Sequence, residues 1–145
     1  MSAVRISRHP AREAAVALLE AAELPCADLT DAHMEHFFYS GPAPAPFGLV
    51  GLEFHGANAL LRSLVVAPPQ RSSGLGAALV AHAEAHARAR GARSIFLLTT
   101  TAEAFFKRRG YVLAAREAAP EEIRATREFA EICPASSAFL CKTLS

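Results

Sequence analysis

The sequence has no excess of charge of either sign, no paired cysteine spacing, no long apolar run and no internal repeat or low-complexity tract. Fifteen Lys and Arg residues stand against fourteen Asp and Glu, a formal net charge of +1 at pH 7. No basic cluster is dense enough for the counterion release that drives nucleic-acid binding, so nucleic acid is not an expected partner. Cys26, Cys133 and Cys141 fall in no C-x-x-C spacing, which argues against a disulfide framework or a four-ligand zinc site and fits a reducing compartment. No stretch approaches the roughly 18 apolar residues of a membrane span, and Met1 to Pro10 carries Arg5, Arg8 and His9 with no apolar run behind them. These absences lead to the expectation of a soluble, cytoplasmic protein with no membrane partner.

What is present is a core. With 145 residues, of which 52% are hydrophobic, residues 1–145 are expected to form a single domain. Val4 to Ser7 reads as a short strand and Ala11 to about Ala22 as a helix, with Pro10 at its start and Leu24-Pro25 after its end. Alternating prolines from Pro42 to Pro46 mark a loop between strands, and Phe47 to Phe54 reads as the return strand. Gly56-Ala57-Asn58 turns the chain into Ala59 to Val66, an apolar run broken only by Arg62 and Ser63, as expected of a strand buried on both faces. Gly74 to Arg90 reads as a long amphipathic helix closed by Gly91, followed by a strand at Ser94 to Thr99. Thr100 and Glu103 have capping-box spacing, which predicts a short helix from Thr101 to Arg109 before a strand at Tyr111 to Leu113. A helix after Pro120, ended by Cys133-Pro134, and a strand at Ser137 to Lys142 complete a mixed α/β sheet.

The segment Arg71-Ser72-Ser73-Gly74-Leu75-Gly76 opens the long helix. Unpaired amide hydrogens at such a start point at an arriving anion, and the helix dipole favours negative charge there. Without Cβ atoms, Gly74 and Gly76 let a phosphate approach the backbone. The turn lacks the Gly-Lys-Ser/Thr ending of a nucleoside-triphosphate loop and does not spell G-x-G-x-x-G. By itself it is a generic anion cradle.

Two ordered motifs give it a context. The stretch LRSLVVAPPQRSSGLGAALVAHAEAHARARG, residues 61–91, resembles the strand, diphosphate loop and helix of the GNAT superfamily of N-acetyltransferases, with Arg71, Gly74 and Gly76 on its Q/R-x-x-G-x-G/A positions. AEAFFKRRGY, residues 102–111, resembles that superfamily's A-x-x-F-Y-x-x-x-G-F segment, with Phe105, Gly110 and Tyr111 in register. The resemblance covers nearly the whole chain. It implies a mostly antiparallel central sheet with a splayed parallel pair, flanked by helices. It also implies acetyl-CoA as cosubstrate, with the loop amides of Arg71, Ser72, Ser73, Gly74, Leu75 and Gly76 on its diphosphate. Amides near Leu64, Val65 and Val66 would hold the pantetheine and thioester carbonyl, acting as an oxyanion hole. Thr99, Phe105 and Phe106 complete the implied cofactor-binding set.

The chain also departs from the pattern. Phe106 stands where many members carry a tyrosine that protonates the leaving thiolate, and a phenyl ring has no proton to give. Thr99 replaces an asparagine often found seven residues earlier. Water, Tyr39 or a threonine of Thr99-Thr100-Thr101 are the alternative proton sources.

Among polar candidates, Glu53 is the best-placed carboxylate for a general base, and the turn at Gly56 brings its strand against the one bearing Arg62. The two are either a structural ion pair or working groups, Arg62 then gripping an anionic group of the substrate through its planar fork. His82 and His86 have the spacing of a helical metal pair but no third ligand nearby in sequence, and they are expected on a solvated face; no metal is expected. His33, His36 and His55 read as loop and strand-end residues, with His55 a second candidate base.

Residues 60–66, 98–106 and 133–138 look most like the arsenic-resistance N-acetyltransferases. That narrower resemblance implies a small-molecule amine as partner, an amino-organoarsenical, with Arg62 reading its arsonate or carboxylate. Soft thiolates at Cys26, Cys133 and Cys141 would suit trivalent arsenic, but an ordinary buried role is the expectation for free cysteine. The competing readings are an amino-acid or peptide N-acetyltransferase and a noncatalytic acetyl-CoA-binding sensor. A homodimer is allowed as the assembly.

Overall fold

The structure, a computed structural model, describes residues 5–71, 73–127, 129–130 and 137–144. Its centre is a sheet in which, among the described residues, seven strands follow the order β1-β2-β3-β4-β5-β7-β6. These strands are β1 (Ser7–Arg8), β2 (Phe37–Ser40), β3 (Gly48–His55), β4 (Asn58–Val66), β5 (Ser94–Thr99), β6 (Val112–Leu113) and β7 (Ala138–Thr143). Neighbouring strands are antiparallel except β4 and β5, which run parallel. The helices are α1 (Arg12–Ala21), α2 (Leu75–Ala89), α3 (Glu103–Lys107) and α4 (Glu121–Arg124). Among the described residues no helix is long and apolar enough to cross a membrane.

Most elements fall within two residues of the boundaries their local patterns predict, because apolar period, proline and glycine act over a few residues. The first strand is shifted to Ser7–Arg8, where Ser7 pairs with Tyr39 and Arg8 with Phe38. The short helix α3 starts later than expected, at Glu103, and the Thr100–Glu103 capping box does not form. Instead the backbone amide of Ala102 donates to Thr99 Oγ1 at 3.0 Å. The helix expected to run from Pro120 to Cys133-Pro134 instead ends at Arg124, with Thr126 Oγ1 donating to Ile123 O just beyond it, and Cys133-Pro134 itself lies outside the described residues.

Helix α2 buries Leu75, Leu79, Val80, Ala83 and Ala87 against Val50, Leu52, Ala59, Leu61, Ile95 and Leu97 on one face of the sheet. Each large aliphatic side chain so buried contributes about 1.5–3 kcal/mol. Alternation along the strands sends Leu49, Leu60 and Phe139 to the other face. There α1 covers Phe37, Leu49 and Val65 through Ala15 and Leu19, while Ala119 and Ile123 cover Leu60 and Phe139.

Two features of β4 open the sheet. Its pairing with β3 holds Leu49 against Val65 and Gly51 against Arg62, so Val50 alone opposes Ser63 and Leu64. Such a bulge bends and twists the strand that carries the extra residue, and Ser63 absorbs the distortion in the left-handed region at φ 61°. The parallel ladder with β5 covers only Asn58–Ser94, Ala59–Ile95 and Leu60–Phe96. Beyond Leu60 the two strands diverge, while β5 stays paired to β7 as far as Thr99 and Ala138.

Candidate active site

The gap between the diverging strands is a cavity of about 700 Å³. Its walls are residues 61–66 of β4, residues 97–102 at the end of β5, residues 22–25 after α1, and Arg71, Phe106 and Ser137. Polar backbone of a strand that has lost its ladder neighbour is available there to a ligand.

Helix α2 begins beside this gap. Gly74 caps it at φ 86°, a left-handed conformation that favours glycine, and a Cβ built there would meet nothing within 4 Å. The amide of Ala78 makes the first helical bond, to Gly74 O at 3.0 Å, so the amides of the first turn before it have no helical acceptor, as an anion site requires. A Cβ on Gly76 would lie 3.5 Å from the Phe105 ring and 3.7 Å from Val66, which ties the helix start to the cavity wall. Arg71 is held there as well, its Nε donating to Val66 O at 3.1 Å.

Of the residues expected to hold the cofactor, Leu64, Val65, Val66, Arg71, Thr99 and Phe106 line the cavity. Ser73, Gly74, Leu75 and Gly76 form the turn into α2, where the Leu75 side chain is buried in the core and only its backbone faces out. Phe105 packs over Gly76 with the Arg109 guanidinium 3.7 Å from its ring centroid. Ser72 lies outside the described residues.

Phe106 is buried edge-on against Phe105 and Tyr111. Tyr111 is no substitute proton source: its hydroxyl donates to Glu84 Oε2 at 2.9 Å, and burial, reinforced by the Glu84 charge, pushes its pKa far above the usual range. Of the alternative donors, Thr99, Thr100 and Thr101 stand in the cavity wall, whereas Tyr39 sits on β2 and packs against the α1 cluster. Thr99 Oγ1 accepts from Ala102, which leaves its own proton available.

Glu53 and Arg62 do meet, though not directly opposite each other. Glu53 opposes Leu60 and Arg62 opposes Gly51, so the pair is diagonal on the face away from α2. Arg62 is 2% exposed and fully enlisted by its neighbours. Its Nη1 donates to Asp28 Oδ2 at 2.5 Å and Glu53 Oε2 at 2.8 Å, its Nη2 to Asp28 Oδ1 at 2.7 Å, and its Nε to Ser63 Oγ at 3.1 Å. Burial alone would raise the Asp28 carboxyl, but the Arg62 hydrogen bonds and charge outweigh it and hold the pKa below its ordinary value. The arrangement is the structural ion pair, extended by an aspartate that nothing in the sequence marked. A guanidinium bonded in this way has no fork to offer an anionic substrate.

Glu53 itself faces a smaller hollow of about 250 Å³, with His33, His36 and His55. His55 Nε2 lies 3.3 Å from Glu53 Oε1 and His33 Nε2 3.7 Å from Glu53 Oε2. Asp28, His33 and Glu53 are close enough together to suggest a cation site. Arg62 already supplies the positive charge between the two carboxylates, however, and Thr30 N donates to His33 Nδ1 at 3.1 Å, which puts the ring proton on Nε2. The residues do not fit a metal.

His82 and His86 correct another expectation. Rather than facing water, His82 packs edge-on against Phe38, and His86 packs against Phe38, Phe54 and His36, because α2 lies across β2 and β3. The Nε2 of His86 and the Nδ1 of His36 are buried without partners among the described residues. Burial first, then neighbouring positive groups, lowers both pKa values. Cys26 packs beside α1, whereas Cys141 pairs with Phe96 and Val112 on β7; Cys133 lies outside the described residues.

The fold and the sequence have known counterparts. The chain is 20% identical to N-acetylglutamate synthase from Neisseria gonorrhoeae, crystallised with coenzyme A and N-acetyl-glutamate, and the two superpose with a TM-score of 0.81 over 100% of this chain and 36% of that one. A Mycobacterium tuberculosis protein in complex with CoA matches at a TM-score of 0.75 and 16% identity, covering 97% of this chain and 99% of that one. An amino-acid acetyltransferase from Ralstonia nicotianae is 44% identical over 61 residues, 42% of this chain and 14% of that protein. This chain therefore spans only a small part of that relative and about a third of the synthase. The splayed parallel strands, the helix start beside them and the two motifs agree with a family model matched over residues 9–111, and the chain belongs to the Acetyltransferase (GNAT) family.

Proposed function

We propose that this chain is an acetyl-CoA-dependent N-acetyltransferase that acts directly on the amine of a small molecule, with an amino acid as the favoured acceptor class. The observation that carries the reading is the opening of β4 from β5 beside the start of α2. An anion-binding helix start at one end of a slot whose wall mixes Leu and Val side chains with threonines and polar backbone fits a diphosphate joined to a long thioester arm. Bound there, the thioester carbonyl would meet the strand amides near Leu64 to Val66, which stabilise developing oxyanion charge. The amine lone pair attacks that carbonyl, the carbon–sulfur bond of the tetrahedral intermediate breaks, and the proton lost by nitrogen ends on the CoA sulfur.

Similarity to an amino-acid acetyltransferase and to a synthase crystallised with N-acetyl-glutamate supports the amino-acid acceptor. The amino-organoarsenical reading keeps its motif resemblance but loses the residue assigned to the arsonate, since Arg62 is bonded to Asp28 and Glu53. Glu53, tied to the same guanidinium, serves in this reading to hold Arg62 rather than as the base. We read residues 1–145 as one domain acting in the cytoplasm without metal, nucleic acid or membrane partner, with a homodimer allowed as its assembly.

The test is release of free thiol from acetyl-CoA with a panel of amino acids, alkylamines, arylamines and aminoaryl arsenicals. Turnover with amino acids in preference to arsenicals is expected. Acetyl-CoA binding without turnover on any amine would favour the sensor, and absence of binding would refute the whole reading.

A further inference from the structure

Lys107, Arg108 and Arg109 follow one another at the end of α3, and they differ in how they are held. Lys107 pairs with Glu103 at 2.7 Å, and Arg108 is exposed. Arg109 is half-buried and fixed at three points. Its carbonyl accepts from Lys142 Nζ at 2.9 Å, its Nη1 donates to Phe105 O at 2.8 Å, and its guanidinium lies 3.7 Å over the centroid of the Phe105 ring. No carboxylate meets that guanidinium among the described residues, so the hydrogens on Nε and Nη2 have no acceptor there. A guanidinium ordered by packing and left without a counter-ion is prepared for an anion.

The place of Arg109 indicates which anion. The Phe105 ring beneath it also touches the start of α2, its edge 3.5 Å from a Cβ built on Gly76. One aromatic ring therefore separates the guanidinium from the helix start that suits the diphosphate. Acetyl-CoA carries a third phosphate on the 3′ oxygen of its ribose, and the sugar sets that group off from the diphosphate in the same way. Arg71, the other basic residue beside the helix start, is tied by its Nε to Val66 O in the cavity wall. Arg109 is thus the held cation on the side of α3.

We propose that Arg109 binds the 3′-phosphate of acetyl-CoA, its Nε and Nη2 hydrogens gripping two phosphate oxygens while the Phe105 ring keeps the guanidinium plane in place. Arg109 selects CoA thioesters over those that lack this phosphate and takes no part in acyl transfer. The proposal rests on the assignment of the diphosphate to the start of α2.

Calorimetric titration of the full chain and of Arg109→Gln with CoA and with 3′-dephospho-CoA tests it, and needs no acceptor. The unaltered chain binds CoA about 10–100-fold more tightly than 3′-dephospho-CoA, the range for hydrogen bonds to a charged group. Arg109→Gln weakens CoA by that same factor and 3′-dephospho-CoA by less than about twofold, so the preference disappears. Arg109→Lys, which keeps the charge and a stem over Phe105 but loses the fork, falls between the two. Equal losses on both ligands in Arg109→Gln refute the assignment, because the side chain then acts through Phe105 or on the diphosphate. An unaltered chain that binds both ligands alike refutes it as well. Failure of the unaltered chain to bind CoA at all refutes the cofactor site at α2 instead, and with it this role.

Discussion

Replacing Arg62 by methionine separates a substrate clamp from a structural ion pair. The side chain of Arg62 is 0% exposed, and its removal leaves Asp28 at 4% and Glu53 at 14% facing each other without a cation. Removing one partner of a buried charge pair costs about 3–5 kcal/mol. An unfolding entropy of about 2.1 cal/mol/K per residue over 145 residues is about 0.3 kcal/mol/K, so the thermal midpoint should fall by about 10–16 °C at pH 7. The loss should also depend on pH. With its folded pKa held below the unfolded value, Asp28 contributes stability that is present above the unfolded value of 3.8 and lost as pH falls through the folded one. Without Arg62 the buried carboxyl protonates readily, so parent and variant should converge as pH approaches 4. Urea titrations at pH 7 and pH 4 measure both effects, and Asp28→Asn added to Arg62→Met should recover part of the loss. A change under 1 kcal/mol at pH 7, together with a raised KM for an anionic acceptor alone, would refute the reasoning and restore the clamp.

Three further outcomes follow from the same structure. Gly74→Glu should abolish acetyl-CoA binding by calorimetry, since the left-handed backbone at φ 86° disfavours a side chain and the carboxylate repels the diphosphate; unchanged affinity would overturn the loop assignment. His36 and His86 are held neutral by burial, faced by Arg8, Arg90, Glu35 and His82, so their folded pKa values lie below 6.5 and stability should be complete above that pH and decline below it. His86→Phe should flatten melting-point curves between pH 6.5 and 5, and an unaltered slope would count against the assignment. Among the described residues the charged ones in the cavity wall are Glu23, Arg62 and Arg71; with Arg62 bonded to carboxylates and Arg71 proposed for the phosphate end, L-glutamate should be at least about tenfold poorer in kcat/KM than a neutral amino acid. Equal values in the thiol-release assay would refute that.

The elements were legible because their determinants are short-range. Helical period and the flanking glycines placed α2 to within a residue at each end, and the apolar run placed the start of β4 to within a residue and its end at Val66. Local pattern failed where a competing partner stood close by in space. Thr99 rather than Thr100 takes an amide at the start of α3, and His86, polar and on a helix, is covered by Phe38, Phe54 and His36. Asp28 carried no mark at all: it lies in a loop 34 residues from the arginine it binds.

The sequence by itself determined the family and the glycine turn that opens α2, because both reside in contiguous residues whose chemistry does not depend on the rest of the chain. Only the tertiary structure decided what that turn opens onto. The bulge at Ser63, the divergence of β4 from β5, the burial of Arg62 between two carboxylates and the packing of Phe105 over Gly76 are all relations between segments far apart in the chain. They are set by register and packing, which spacing along a single sequence does not encode.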